Sequence, residues 1–383
     1  MNNKKLSFFF VFLISCFYNY FGDKIEISAK SAILICADTC SIVYSKNENM
    51  CLPIASVTKV MTAILLLEKI QNFGDSEIEI TDEMVRVEGS SMGLQVGDVL
   101  KQSDLVVGML LPSGNDAANT SSIAVSGDTE NFVKLMNEKA KQLGMKNTKF
   151  TTPSGLDKNN NHSSALDVAT LAAYCLENKE FKNIVSQKSK RVSVISPSKT
   201  IFCKNHNKLL KLYKYCTGIK TGFTKLAGRC LLSSAKNDEG KELIAVTLNA
   251  SDDWNDHISL FEYGFKNTAI KNFNDKDFSV KIKVKNSDIE EIELGSLSEF
   301  SRLLKLGDEK NLQRKIEIPE FCEATIEEGQ ILGKISYYLN GELIGYNNLS
   351  ANQKAGLKKS TFRSLWESIK KFFHNSYLFI TRQ

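Results

Sequence analysis

The 383-residue chain is poor in the residues that metal sites and repetitive or disordered chains require. Its four histidines are scattered and its cysteines show no paired C-x-x-C spacing, so we expect no metal and no cofactor. Five prolines and 22 glycines, against 42% hydrophobic residues, exclude a collagen-like or low-complexity chain, and no internal repeat is visible. Nine cysteines leave disulfides possible, but most lie in apolar runs that favour small buried hydrophobes. At roughly 150 residues per domain, the length predicts two or three folded units.

An excess of charge of one sign is absent outside the C-terminal tail. The whole chain carries 49 Lys and Arg against 44 Asp and Glu, a net charge of +5. Residues 358–383 hold six basic residues and one acidic residue, which accounts for that net charge. The remainder is near neutral, so we expect no nucleic-acid partner and expect the positive charge to act where the tail makes contact.

No apolar run reaches the roughly 20 residues that span a bilayer as a helix. Lys4 and Lys5 precede the apolar stretch Leu6–Tyr18, and this arrangement is typical of a secretory signal. We therefore assign residues 1–24 to a signal segment and predict an exported protein. The cleavage site stays open, because no A-x-A site follows and Leu13–Cys16 resembles a lipoprotein box that would place a lipid on Cys16. A buried N-terminal helix is the alternative.

Three regions follow the signal segment. Residues 25–272 combine hairpins near 31–45 and 229–249 with helices over 56–70, 131–143 and 165–176, which predicts an α+β domain. Residues 275–352 alternate apolar and polar side chains and predict a small all-β domain.

Residues 358–383 form the basic tail, which is amphipathic when placed on a helix. The residues opposite the basic side are apolar: Phe362, Leu365, Trp366, Ile369, Phe372, Phe373, Tyr377 and Ile380. Aromatic residues opposite lysines suit the boundary of lipid headgroups, so we predict peripheral contact with a membrane surface. The alternative is a helix packed on the protein's own β domain.

A Ser-x-x-Lys pair is the first pattern that carries chemistry. A serine and a lysine three residues apart lie on one face of a helix, and a buried lysine has a lowered pKa and can accept the serine proton as a neutral amine. The spacing occurs four times, in Ser56/Lys59, Ser196/Lys199, Ser233/Lys236 and Ser368/Lys371. Only Ser56/Lys59 opens a strongly apolar helical stretch, so we choose that pair.

Two further motifs follow in the chain. Ser113-Gly114-Asn115 offers a hydroxyl that can relay a proton and an amide that can bind a peptide backbone, although alone it is more typical of a turn and helix cap. Lys220-Thr221-Gly222 occurs once, and in a strand it would present a cation and a hydroxyl to a carboxylate.

Together and in this order, the three motifs are those of penicillin-binding proteins and class A β-lactamases. The chain resembles, more narrowly, the low-molecular-weight penicillin-binding proteins that are serine-type D-alanyl-D-alanine carboxypeptidases. The resemblance covers roughly residues 30–380 and includes the following segments: Leu52–Ala63, Ser113–Ala118, Met136–Met145, Asn205–Leu210 and Gly218–Thr224. Minor departures are Cys40, where a glycine is common, and His206, inside a segment often written Asn-x-Asn.

The resemblance implies a fold and a reaction. The fold is a penicillin-binding-protein-like catalytic domain, an antiparallel sheet with helices, followed by the small β domain and the amphipathic C-terminal helix. The reaction removes the terminal D-alanine from peptidoglycan stem peptides that end in D-Ala-D-Ala, and β-lactam antibiotics are covalent inhibitors. The implied location is the extracytoplasmic face of the cell membrane, with peripheral anchoring.

The resemblance also implies roles for individual residues. Ser56 is the nucleophile, Lys59 the general base and Ser113 a proton relay. The backbone N–H groups of Ser56 and Phe223 hold the oxyanion. The substrate-binding set is Asn115, Lys220, Thr221, Gly222, Phe223 and Thr224.

Three alternatives remain at this stage. A β-lactamase would need an efficient deacylating base, for which the middle motif offers no obvious partner. A transpeptidase would use an amine acceptor in place of water. A catalytically silent wall-binding protein would have no need for a buried Ser/Lys pair.

Overall fold

The computed structural model describes residues 25–156, 160–358 and 366–371. The chain divides into two compact units, with the boundary between Ala269 and Ile270. The signal segment predicted for residues 1–24 lies outside the described residues, as does most of the tail.

The first unit is built around a five-stranded antiparallel sheet with the strand order β2-β1-β9-β8-β7. All six residues of β1 are buried, which means that both faces of the sheet are covered. Two small two-stranded antiparallel sheets, β3-β4 and β5-β6, lie outside this sheet. The strands of the unit are β1 (Ser31–Cys36), β2 (Ile42–Lys46), β3 (Glu77–Glu79), β4 (Val99–Lys101), β5 (Ser189–Val194), β6 (Lys199–Lys204), β7 (Cys216–Thr224), β8 (Gly228–Lys236) and β9 (Glu242–Ala250).

Helices occur between the first and the last hairpin, as the sequence predicts, and one further helix follows the last hairpin. They are α1 (Lys59–Phe73), α2 (Asp82–Val85), α3 (Gln102–Leu110), α4 (Asn115–Ser126), α5 (Thr129–Gln142), α6 (Ala165–Glu177), α7 (Lys179–Val185), α8 (Leu209–Leu212) and α9 (Asp253–Lys266). The predicted helices over 131–143 and 165–176 are confirmed as α5 and α6. In each, the N-cap side chain accepts a backbone N–H: Asp128 accepts from Asn131 in α5, and Ser164 accepts from Asp167 in α6.

Helix α1 differs in its first turn from the helix predicted over 56–70. Residues Ala55–Thr58 form a 3-10 turn, and the α-helix begins at Lys59. Nine consecutive residues of α1, from Lys59 to Leu67, are buried. A helix that is buried on every side in this way lies inside the unit, and its first residue, Lys59, is the lysine of the chosen pair.

A tight glycine contact fixes the first turn of α1 against a neighbouring loop. Gly155 has φ +81, and a Cβ at this position would lie 1.9 Å from the Ala55 carbonyl oxygen. On the same side, the Thr62 hydroxyl donates to the Pro153 carbonyl at 2.7 Å, and the Asn161 amide donates to the Thr58 hydroxyl at 3.0 Å. The loop around residues 153–155 is therefore docked on the 3-10 turn.

The second unit is all strand apart from one 3-10 turn (Asp308–Asn311), within residues 270–358. Its six-stranded sheet has the order β14-β16-β17-β12-β11-β15, and β10 pairs with β13. The predicted small β domain and the α+β class are confirmed. The strands are β10 (Thr268–Asn274), β11 (Ser279–Lys285), β12 (Glu291–Gly295), β13 (Glu299–Lys305), β14 (Leu312–Glu317), β15 (Phe321–Glu323), β16 (Ile331–Leu339) and β17 (Glu342–Ala351).

A buried carboxylate joins several strands of the second unit. Asp275 accepts hydrogen bonds from the Arg314 guanidinium at 2.9 Å, from the Tyr337 hydroxyl at 2.8 Å and from the Asn347 amide at 2.8 Å. Charge-assisted hydrogen bonds of this kind hold a buried acid that would otherwise destabilise the fold.

Of the predicted tail helix, the structure describes residues 366–371, which are helical and exposed. The Lys370 ammonium lies 6.0 Å from the centre of the Trp366 ring. Among the helices of the described residues, none combines the length and the apolar character that a membrane span requires.

The glycine contact at the head of α1 generates a stability prediction. Gly155→Ala should lower the free energy of unfolding by about 1 to 2 kcal/mol for the left-handed backbone and by roughly 1 to 3 kcal/mol more for the clash with Ala55. Gly144→Ala is the matched control, because Gly144 has φ +74 and nothing within 4 Å of a Cβ. Urea unfolding of both variants measures the difference, and equal losses would contradict the docking of the loop on the 3-10 turn.

Candidate active site

The Ser56/Lys59 pair meets in the structure. The Lys59 Nζ lies 2.9 Å from the Ser56 Oγ and donates to the Ser154 carbonyl oxygen at 2.7 Å. Lys59 is fully buried. The carbonyl of Ser154 takes one N–H of the amine, so the nitrogen is oriented toward the serine hydroxyl.

Burial decides the protonation of the two lysines at the site. Loss of hydration holds the pKa of Lys59 well below its usual range, and the positive charge of Lys220 lowers it further, while Asp116 acts in the opposite direction. Burial alone lowers the pKa of Lys220 from 10.5 to about 7. An amine with a lowered pKa is neutral in a substantial fraction of molecules near neutral pH and can accept a proton.

The Ser113-Gly114-Asn115 motif lies at the turn before α4. Ser113 has φ +64 and is buried, in a left-handed conformation that is uncommon for serine. The Asn115 amide nitrogen donates to the Glu88 carbonyl oxygen at 2.5 Å, and its backbone N–H donates to the Ser90 carbonyl at 2.7 Å. Asn115 therefore also ties down the segment 88–90.

Asp116, the next residue, holds the neighbouring segment. Its carboxylate accepts from the Ser91 hydroxyl at 2.5 Å and from the backbone N–H groups of Met92, Gly93 and Leu94 at 2.9, 3.0 and 3.1 Å. One buried side chain at the head of α4 thus fixes residues 91–94 beside the motif.

The Lys220-Thr221-Gly222 motif lies on β7, the edge strand that flanks the 3-10 turn before α1. A Cβ on Gly222 would lie 2.8 Å from the Ile54 carbonyl oxygen and 3.2 Å from the Ser56 nitrogen, so glycine permits the close approach of this strand. The Lys220 ammonium is buried and donates to the Thr221 carbonyl at 2.8 Å.

A cleft of about 380 Å³ joins parts of the three motifs. Its walls bring together five of the predicted residues: Ser56, Ser113, Thr221, Gly222 and Phe223. Lys59 reaches the cleft through Ser56, whereas Asn115 and Lys220 are buried and are not among the lining residues. The Thr224 hydroxyl accepts the Ala227 N–H at 3.0 Å and does not line the cleft either.

Sequence reasoning gave no role to the remaining lining residues, although His206 and Lys208 lie in the segment Asn205–Leu210 that shares the family resemblance. These lining residues are Ser90, His206, Lys208, Arg229, Asp253 and Trp254. Burial lowers the pKa of His206, and the charges of Lys220 and Lys204 lower it further. For Arg229, a signal exists in the sequence, because it follows the Lys-Thr-Gly strand by one hairpin turn. Asp253 and Trp254 carry no such signal, since only the packing of α9 brings them to the cleft.

The other Ser-x-x-Lys pairs have different surroundings. The Ser233 hydroxyl is buried and makes a short hydrogen bond with His257 Nδ1, and Thr247 lies 2.9 Å from the other ring nitrogen. Lys199 forms an ion pair with Asp98 at 2.7 Å. Ser368 and Lys371 are exposed. Among the described pairs, Ser56/Lys59 alone joins a hydroxyl on a cleft wall to a buried lysine amine.

The fold and the cleft define a serine enzyme of the acyl-transferring class, and comparison with known proteins places it in a family. The model of the D-alanyl-D-alanine carboxypeptidase family matches residues 20–252, and that of the C-terminal domain of penicillin-binding protein 5 matches residues 269–356. The chain therefore belongs to the D-alanyl-D-alanine carboxypeptidase family.

Individual relatives agree with this assignment. D-alanyl-D-alanine carboxypeptidase DacF of Bacillus subtilis is 32% identical over 345 residues, which cover 87% of each chain. Penicillin-binding protein 5 of Haemophilus influenzae is 27% identical with a TM-score of 0.67, over 87% of this chain and 99% of that chain. A mutant DD-transpeptidase from Streptomyces is 28% identical with a TM-score of 0.60, over 63% of this chain and 100% of that chain.

The lowered pKa of Lys220 predicts how stability depends on pH. Between pH 7 and 10.5 the unfolded chain keeps the Lys220 proton and the folded protein does not, so the free energy of unfolding should rise with pH across this window. The slope from this residue is at most about 1.4 kcal/mol per pH unit. In Lys220→Met the rise should be smaller than in the wild type, because this residue no longer titrates. It should not vanish, because Lys59 contributes in both proteins.

Urea unfolding of both proteins at pH 6, 7, 8 and 9 provides the measurement. Below pH 7 both states hold the proton, so the two curves should run parallel there and diverge above it. Parallel curves up to pH 9 would show that Lys220 keeps an ordinary pKa.

Proposed function

We propose that this protein is a serine-type D-Ala-D-Ala carboxypeptidase that removes the terminal D-alanine from peptidoglycan stem peptides through an acyl-enzyme on Ser56. The observation that carries the proposal is the 2.9 Å contact between a cleft-wall hydroxyl and the buried amine of Lys59. Family membership supplies the reaction class, and the geometry supports the choice of nucleophile among four sequence candidates.

Acylation begins with the neutral form of Lys59. The amine takes the proton of the Ser56 hydroxyl, and Oγ attacks the carbonyl carbon between the two D-alanines. The resulting oxyanion accepts hydrogen bonds from the backbone N–H groups of Ser56 and Phe223. The approach of Gly222 to the Ser56 nitrogen supports this pairing, and each donor typically lowers the barrier by about 3 kcal/mol.

Collapse of the tetrahedral intermediate completes the first half of the reaction. The peptide C–N bond breaks, and the leaving nitrogen takes the proton that Lys59 received, relayed through Ser113, which also lines the cleft. Water then attacks the ester carbonyl and Lys59 accepts its proton. The ester C–O bond breaks, Lys59 returns the proton to the Ser56 Oγ, and the shortened peptide leaves.

The remaining predicted residues position the substrate. Thr221 lies on the cleft wall and presents its hydroxyl from the edge strand. Asn115 is the proposed partner of a stem-peptide amide, and it supports the wall through Glu88. Lys220 acts from behind Thr221. Thr224 has the weakest support, because it does not line the cleft.

A transpeptidase is the second candidate, and the resemblance to the Streptomyces DD-transpeptidase favours it. The acyl-enzyme would be the same, and an amine rather than water would attack the ester. Incubation of a D-Ala-D-Ala peptide with and without a D-amino acid acceptor separates the two activities by the mass of the product.

Proteins of this family act on peptidoglycan, outside the cytoplasm. We propose that this chain is exported by residues 1–24 and that the basic tail holds it to the outer face of the cell membrane. The exposed Trp366 and Ile369 beside Lys370 and Lys371 support the interfacial part of this proposal.

Replacement of the nucleophile tests the function. The wild type should release D-alanine from an N-acyl-L-Lys-D-Ala-D-Ala peptide and should be labelled by a fluorescent penicillin. Ser56→Ala should abolish both, because no other group can form the ester. Ser196→Ala is the matched control and should retain both activities. Labelling of Ser56→Ala but not of Ser196→Ala would overturn the choice of pair.

Truncation tests the anchor. A protein that lacks the signal segment and residues 360–383 should keep its peptide turnover and should lose binding to anionic liposomes, since each basic residue near such a surface contributes about 1 kcal/mol. Co-sedimentation of the truncated and the tail-bearing protein measures the effect. Loss of turnover or unfolding on truncation, with no liposome binding by the longer protein, would show instead that the tail is structural.

A further inference from the structure

A substrate of a carboxypeptidase ends in a free carboxylate, and the described cleft has few groups that can neutralise it. The Lys220 ammonium is buried, donates to the Thr221 carbonyl, and has a pKa lowered to about 7, so it carries only part of a charge near neutral pH. Thr224 does not line the cleft. His206 has a lowered pKa. Apart from His206, the basic side chains that line the cleft itself are Lys208 and Arg229.

Arg229 has that charge and lies on the cleft wall. It is on β8, where its Cα partner on the substrate-flanking strand β7 is Phe223. The Arg229 Nη1 donates to the Ser251 carbonyl oxygen at 3.2 Å and lies 3.6 Å from the Asp253 Oδ1, while 53% of the side chain is exposed. Within the described residues, these contacts leave Nε and Nη2 available to a ligand.

Asp253 provides a second observation at the same place. Its side chain is only 7% exposed and lines the cleft, yet its Oδ1 has no hydrogen-bond partner, because 3.6 Å to Arg229 is an ion-pair distance and not a hydrogen bond. A buried carboxylate oxygen without a donor is unfavourable. A small movement of the Arg229 guanidinium toward Asp253 would give this Oδ1 atom a hydrogen-bond donor.

Lys208 is the other exposed cation on the wall. In the described part of the protein no hydrogen bond or ion pair holds its ammonium, whereas two contacts hold the guanidinium of Arg229. A planar guanidinium can also bind a carboxylate through two parallel hydrogen bonds, which a lysine cannot do.

We propose that Arg229 binds the terminal carboxylate of the substrate and that Asp253 is a positioning residue that holds the guanidinium in the cleft. This inference rests on the proposed carboxypeptidase function and names the group that makes the enzyme selective for free peptide ends. Thr221 completes the carboxylate site from β7.

A pair of peptides isolates this contact. One is N-acyl-L-Lys-D-Ala-D-Ala with a free carboxylate, and the other is the same peptide with a C-terminal carboxamide. In Arg229→Gln, kcat/KM should fall about 10- to 100-fold for the free acid and less than about 3-fold for the carboxamide, because only the acid uses the charge-assisted hydrogen bonds. Arg229→Lys should recover part of the loss. Asp253→Asn should raise KM for the acid with a smaller effect on kcat.

A control variant and three outcomes show how the inference could fail. Lys225→Gln removes a positive charge from the same hairpin outside the cleft lining and should leave both peptides unaffected. The inference is wrong if Arg229→Gln lowers turnover of both peptides equally, if it changes neither, or if Lys208→Gln produces the acid-specific loss instead. A wild-type enzyme that hydrolyses neither peptide would refute the proposed function itself, which is a distinct outcome.

Discussion

The loss of hydration at Lys59 is the interaction on which the rest of the catalytic unit depends. An ammonium in this buried position would be strongly unfavourable, so the fold holds an amine that favours its neutral form. The Ser154 carbonyl and the Ser56 hydroxyl are its two partners. The loop that supplies Ser154 packs so closely on Ala55 that only glycine fits at position 155. The loop contact that packs against the 3-10 turn before α1 is therefore the same contact that positions the Lys59 amine.

Unusual backbone conformations cluster around this amine. Ala55 has φ +48 and Ser113 has φ +64, and both adjoin or form the cleft wall. A left-handed conformation at a non-glycine residue persists only where its surroundings determine it. Around Ser113, the buried Asp116 supplies that support through its hydrogen bonds to residues 91–94. The helix α4 thus pre-organises one wall before any substrate binds.

The sequence predicts the fold and the chemical centre well because both depend on local patterns. The apolar stretch after Ser56 identifies a buried helix, and burial is what separates this pair from the solvated Ser368/Lys371 pair. The sequence could not predict that Thr224 does not line the cleft, because the side chains that reach the cleft depend on the path of the turn after β7. It also could not predict Asp253, which approaches Arg229 only through the packing of strands and a helix in three dimensions.

The electrostatics of the cleft follow from the same burial. Burial shifts both lysines toward their neutral forms, and the charge of Lys220 adds to the effect on Lys59. This favours proton transfer from Ser56 but weakens the attraction for an anionic substrate end. A carboxypeptidase with this arrangement needs a separate, permanently charged group for recognition, and arginine is the side chain that stays protonated at any working pH. Burial of the lysines therefore explains why amines that favour the neutral form would serve proton transfer while a guanidinium would bind the substrate carboxylate.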